Sequence, residues 1–143
     1  MKTITISRID GPPATFGSSK ILRVTRGIIS PIPGQRTPKS EVTIDDSEPI
    51  IHTDEDMQHI LAKVGNSVPM VRLTAPDGSP TLVNAKRVAD IQKPDPDDIK
   101  DISEAAEEFI AHARFYVDKY RNFVRETVEE VKHAIGKAIA KPL

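Results

Sequence analysis

The sequence predicts an α+β protein. It reads as a small, mostly antiparallel β module with a repeated hairpin and one short helix, followed by one long amphipathic C-terminal helix. Three observations carry this. Of 12 prolines and 7 glycines in 143 residues, all but Gly136 and Pro142 lie at or before Pro96. Residues that break regular structure therefore crowd into the first two thirds. Short β-rich runs separated by turn residues fill that part. Beyond it, apolar residues recur in steps of three and four. The expected division is a β-rich module over 1–94 and a helix with a basic tail over 95–143.

The elements follow in order. Thr3-Ile4-Thr5-Ile6-Ser7 alternates apolar and polar, and Asp10-Gly11 marks a turn after it. Lys20 to Ile29 is a second β-rich stretch, and the proline-rich Ser30–Lys39 segment reads as a loop or projecting arm. Glu41–Asp45 and Pro49–His52 read as a hairpin closed around Asp46-Ser47-Glu48. A short helix over about 54–64 is expected, with Thr53 as cap and Asp56 at the capping-box distance. Met57, Ile60, Leu61 and Val64 form its apolar face, and Gly65 suits its end.

Sliding the chain by 67 residues aligns 4–24 with 71–91 without a gap. Asp10, Gly11 and Pro13 meet Asp77, Gly78 and Pro80, and Ile4 and Ile6 meet Val71 and Leu73. Phe16 meets Val83, Ile21 meets Val88 and Val24 meets Ile91. Strand, Asp-Gly turn and returning strand recur as a unit.

Residues 4–64 combine Arg8-Ile9-Asp10-Gly11, Lys20-Ile21-Leu22-Arg23-Val24, Val42-Thr43-Ile44-Asp45-Asp46, Ile50-Ile51 and Thr53-Asp54-Glu55-Asp56 ahead of a short helix. This order resembles the small FlbD-like proteins encoded near bacterial flagellar genes. Gly17 stands where that family usually has Asn after the second strand, whereas the second repeat keeps Asn84. Asp46-Ser47 stands where the family closes its hairpin with Asn-Gly or Asp-Gly. The resemblance implies a small β-rich, non-enzymatic module that supports a larger machine, and it brings no catalytic residues.

Asp95-Pro96-Asp97-Asp98 reads as a helix start, with Asp95 as cap and Pro96 at the first helical position. A helix reaching about Ala140 would be roughly 67 Å long at ~1.5 Å per residue. Ile102, Ala106, Phe109, Ala113, Tyr116, Tyr120 and Phe123 describe a heptad seam of the coiled-coil kind. The seam shifts to Val124, Val128, Val131 and Ile135. These eleven residues are the expected interface. Five of the six aromatics fall between Phe109 and Phe123, a concentration that suits binding. Residues 95–108 hold seven acids and one lysine, whereas 109–143 hold seven Lys/Arg and four acids. That grading suits the helix dipole or antiparallel pairing.

No cofactor is expected and no enzymatic constellation stands out. With 20 Lys/Arg against 21 Asp/Glu, the composition argues against a nucleic-acid coat. The absence of cysteine removes thiolate chemistry, and no apolar run approaches a membrane span. His52, Asp54, Glu55, Asp56 and His59 form the one metal-like cluster, for which helix capping is the simpler use. No metal is expected. Gly11–Lys20 lacks the Gly-Lys-Ser/Thr ending of a phosphate loop. The expected function is a non-enzymatic structural or assembly protein, cytoplasmic or in a virion. It self-associates or docks in a larger assembly through the helix, as a minor structural protein of a bacterial virus would. The alternative is an accessory or regulatory binding module of the FlbD-like type.

Overall fold

The computed structural model describes residues 2–9, 11–27, 37–47, 49–95 and 111–140. The chain forms two compact units that divide between Val68 and Pro69. Among the described residues each is an α+β arrangement of antiparallel strands and one helix, as expected of the fold class.

In unit 1, β1 (Thr3–Ile6) and β2 (Ala14–Gly17) form a hairpin with Ile4 opposite Phe16 and Ile6 opposite Ala14. One turn of 3-10 helix, Ser18–Lys20, leads into β3 (Ile21–Arg26). β4 (Ser40–Ile44) and β5 (Ile50–Thr53) complete an antiparallel meander. Gly27 follows β3 where a Cβ would collide with the Pro38 carbonyl oxygen. Helix α1 (Met57–Val64) lies across β1 and β3 and buries Ile60 and Val64 completely. Ile6, Ile21, Leu22, Val24, Val42 and Ile51 complete a fully enclosed aliphatic core. Removing such surface from water is the main stabilising term.

The helix cap is Asp56, whose Oδ1 accepts the His59 N–H at 2.8 Å, and not Thr53. Thr53 is the last residue of β5, fully buried opposite Ser40. Its backbone is committed to the ladder, so the helix starts later, and its hydroxyl accepts the Glu55 N–H. Gly65, at φ 58, ends the helix.

Unit 2 repeats the order. β6 (Met70–Thr74) and β7 (Pro80–Asn84) form a hairpin, a 3-10 turn spans Ala85–Arg87, and β8 (Val88–Gln92) follows. β9 (Ala113–Val117) and β10 (Tyr120–Val124) complete an antiparallel sheet ordered β8–β9–β10. Helix α2 (Val128–Ala140) touches β6, β8, β9 and the 3-10 turn, burying Val131 and Ile135.

The duplication therefore extends well beyond 4–24 and 71–91, down to single hydrogen bonds. Ser18 N–H donates to Lys2 O and Ala85 N–H to Pro69 O, each at 2.9 Å. Asp45 N–H reaches Lys20 O at 2.8 Å and Asp118 N–H reaches Arg87 O at 3.0 Å. Lys39 N–H meets Thr53 O and His112 N–H meets Val124 O, each at 2.9 Å. The hairpin pairs Ile4–Phe16 and Val71–Val83 are equivalent, as are Ser40–Thr53 and Ala113–Val124.

The C-terminal helix is shorter than its expected span. Residues 113–124 form the β9–β10 hairpin, and the helical start expected at 96–98 lies outside the described residues. A period of two replaces the expected three- and four-residue steps over 113–123. Ala113, Phe115 and Val117 are wholly buried, and Arg114 and Tyr116 between them are not. Aromatic and β-branched residues favour this pleated arrangement. Asp118, at φ 56, opens the two-residue turn without a glycine. The expected boundary at 94/95 falls within unit 2, whose core β9 and β10 complete. The Ser30–Lys39 arm lies mostly outside the described residues.

Candidate interaction face

The structure disperses the expected interface. Ala113, Val124, Val131 and Ile135 belong to the core of unit 2. Val128 is half-buried in the first turn of α2. Tyr116 and Phe123 lie on the sheet face opposite that core, and Tyr120, paired with Val117, is at the sheet's end. Ile102, Ala106 and Phe109 lie outside the described residues.

Because the chain carries two copies of one unit, features common to both are separable from features of one. A carboxylate clamp is common. Glu55 and Glu126 each precede the helix cap by one residue and each grip the end of the unit's first strand. Glu55 Oε2 accepts the Ser7 N–H at 2.8 Å. Glu126 accepts the Thr74 N–H and hydroxyl, both at 2.9 Å. Burial raises the Glu55 carboxyl, but the Lys63 ammonium at 2.5 Å and the Ser7 N–H outweigh it, leaving it below its ordinary value. The caps also correspond, since Thr127 hydroxyl accepts the Glu130 N–H while Glu130 accepts the Thr127 N–H, a capping box. The Thr127 N–H, and after it the Thr127 hydroxyl, hold the Glu130 carboxyl below its ordinary value. These groups hold the frame.

The metal-like cluster is divided among such tasks. Asp56 caps α1, Glu55 clamps, and His59 sits 3.1 Å from Glu55. His52 lies on the sheet, 4.0 Å from Glu41. Among the described residues no three His, Asp or Glu side chains are grouped to hold a metal ion.

The face turned away from the core is what differs. In unit 1 that side of β4 and β5 carries Glu41, Thr43, Ile50 and His52, of which Thr43 is fully buried. The equivalent places in unit 2 hold Arg114, Tyr116, Arg121 and Phe123 on β9 and β10. Arg114 stands opposite Phe123 and Tyr116 opposite Arg121, so cations and rings alternate both along and across the strands. The Arg121 guanidinium lies 5.3 Å from the Phe123 ring centre, and that of Arg114 lies 5.9 Å from the Tyr116 ring. Lys119 lies 5.7 Å from the Tyr120 ring beside them. Cation–π attraction holds such stems against the rings. Gln92 Oε1 accepts from Arg114 at 3.0 Å, and an Asp95 carboxylate oxygen lies 3.8 Å from it.

The aromatic concentration is legible in the sequence, and its geometry is not. Aligning Val42-Thr-Ile-Asp45 with Phe115-Tyr-Val-Asp118, a shift of 73, carries the repeat across the unequal loop and reveals the strands. Comparison of the chain with family models, with curated proteins and with solved structures returns no match.

Proposed function

We propose that this chain is a non-enzymatic binding module that serves a larger protein assembly in an accessory or regulatory role. The observation that supports it is the divergence of the two sheet faces upon a common frame. The shared clamps, caps and turns suffice to build either unit. The arginine–aromatic face is surplus to that need, and its residue types are those that concentrate binding energy in protein interfaces. The accessory role agrees with the FlbD-like resemblance. Asn84, at the position that resemblance singles out, is buried and accepts the Lys86 N–H at 3.0 Å, whereas Gly17 gives the first unit no side-chain cap. Among the described residues no helix is long and apolar enough to cross a membrane.

A photoreactive residue placed at 121, and separately at the equivalent position 50, tests this in the source cell. Protein adducts at 121 and few at 50 are expected. Adducts at neither position, or equal adducts at both, would refute the assignment.

A second reading is a subunit of a repeating assembly, such as a virus particle. It is favoured by Ile139, which is 52% exposed near the end of α2. Light scattering on the full chain and on Ile139→Asp tests it: an oligomer that the substitution dissociates is expected, and a monomeric full chain refutes it.

A further inference from the structure

Resting on the reading of a protein-binding module, we propose that the outer face of β9–β10 receives an acidic, partly apolar segment of a protein partner. Along either strand a cation and a ring stand two residues apart, about 6.7 Å in extended chain. An extended segment places its own sheet-facing side chains at the same spacing. A carboxylate then meets Arg114 or Arg121 while the next facing side chain, if apolar, meets Tyr116 or Phe123. Guanidinium groups suit this because their planar donor fork matches a carboxylate. They are also held in place over the rings rather than swinging in solvent, and both make further contacts within the chain. Less ordering entropy is then lost on binding. The chain itself supplies an example, since the Asp95 carboxylate already approaches Arg114. In unit 1 the Glu41 carboxylate takes the place of Arg114, which would repel the same segment.

Base stacking fits less well. Single-stranded nucleic acid needs open aromatic faces, and here Tyr116 and Phe123 each carry a guanidinium over the ring. A base would have to displace a cation that it also needs for its phosphate.

The test uses the full chain and a fluorescent synthetic peptide with glutamate and leucine alternating at every second residue and serine between. A lysine–leucine peptide of the same design and an oligothymidylate of similar length are the comparisons. Saturable binding of the glutamate peptide is expected, weakened at least about tenfold in Arg121→Glu, while that variant gains affinity for the lysine peptide. Arg121→Gln is the second variant should the charge reversal disturb folding, and it is expected to weaken binding in the same direction. Absence of glutamate-peptide binding, binding unchanged in both variants, or tighter binding of the oligothymidylate would each overturn the proposal. Adducts at position 121 without glutamate-peptide binding would leave the module reading standing and overturn only the acidic segment.

Discussion

Exchanging one hydroxyl between the two units tests the packing argument directly. Ser40 and Ala113 occupy equivalent places, each opposite the last residue of the next strand and each fully buried. Ser40 Oγ has no hydrogen-bond partner among the described residues. A buried hydroxyl left unpaired costs about 1–3 kcal/mol. Replacing it with hydrogen also removes a few contacts worth ~0.1–0.2 kcal/mol each. Ser40→Ala is therefore expected to stabilise the protein by about 1 kcal/mol, raising the melting temperature by roughly 3–5 °C. Ala113→Ser places the same hydroxyl in the equivalent buried site and is expected to cost about 1–2 kcal/mol. Calorimetry and urea unfolding, followed for both variants, give the two signs. A Ser40→Ala variant no more stable than the parent would mean that the hydroxyl is satisfied, and the reasoning would fail at its first step.

Three further outcomes follow from the same structure. Gly136 lies within α2 with open space where an added methyl group would point, so Gly136→Ala should stabilise by about 0.5–1 kcal/mol, whereas Gly65→Ala, at φ 58, should destabilise; thermal melts that move both variants in the same direction would contradict this. The depressed Glu55 carboxyl stabilises the fold above its ordinary value of 4.5, and that contribution is lost as pH falls through its lower folded-state value. The stability difference between the parent and Glu55→Gln, read by urea unfolding at neutral and acid pH, should shrink on acidification, and a difference independent of pH would refute the clamp's ionic character. Gly27→Ala should cost at least about 1 kcal/mol, because its Cβ would collide with the Pro38 carbonyl oxygen and the strand exit must shift; unchanged chemical denaturation would show that the approach relaxes freely.

The fold class was legible because its strongest signals were local. Alternation in Thr3–Ile6, the turn at Asp77-Gly78 and the apolar spacing of Ile60 and Val64 each report one element. Residues 113–124 were not legible by the same means. Two five-residue strands joined by Asp118-Lys119 contain no glycine or proline, and Ala113, Tyr116, Tyr120 and Phe123 also fit helical steps although the two faces of the sheet share them. The choice between periods lay in the partner strand β8, distant in sequence and joined through an irregular register. The arginine–aromatic face was only half legible. Composition revealed aromatics among cations, but which of them share a face depends on strand pairing. Tyr116 and Phe123 belong together, and Tyr120, one heptad step from either, does not.

Gly65 and Gly136 stand at corresponding points of the two helices, one as a terminus and the other as a passenger. In the first, Asn66 and Ser67 follow, and the Ser67 hydroxyl and N–H both donate to Val64 O, drawing the chain out of the helix. In the second, Lys137 and Ala138 offer no such hydroxyl, and α2 runs on to Ala140. Gly136 alone therefore does not stop the helix. A glycine at the same place in two like units thus sets a boundary only where the residues after it draw the chain away.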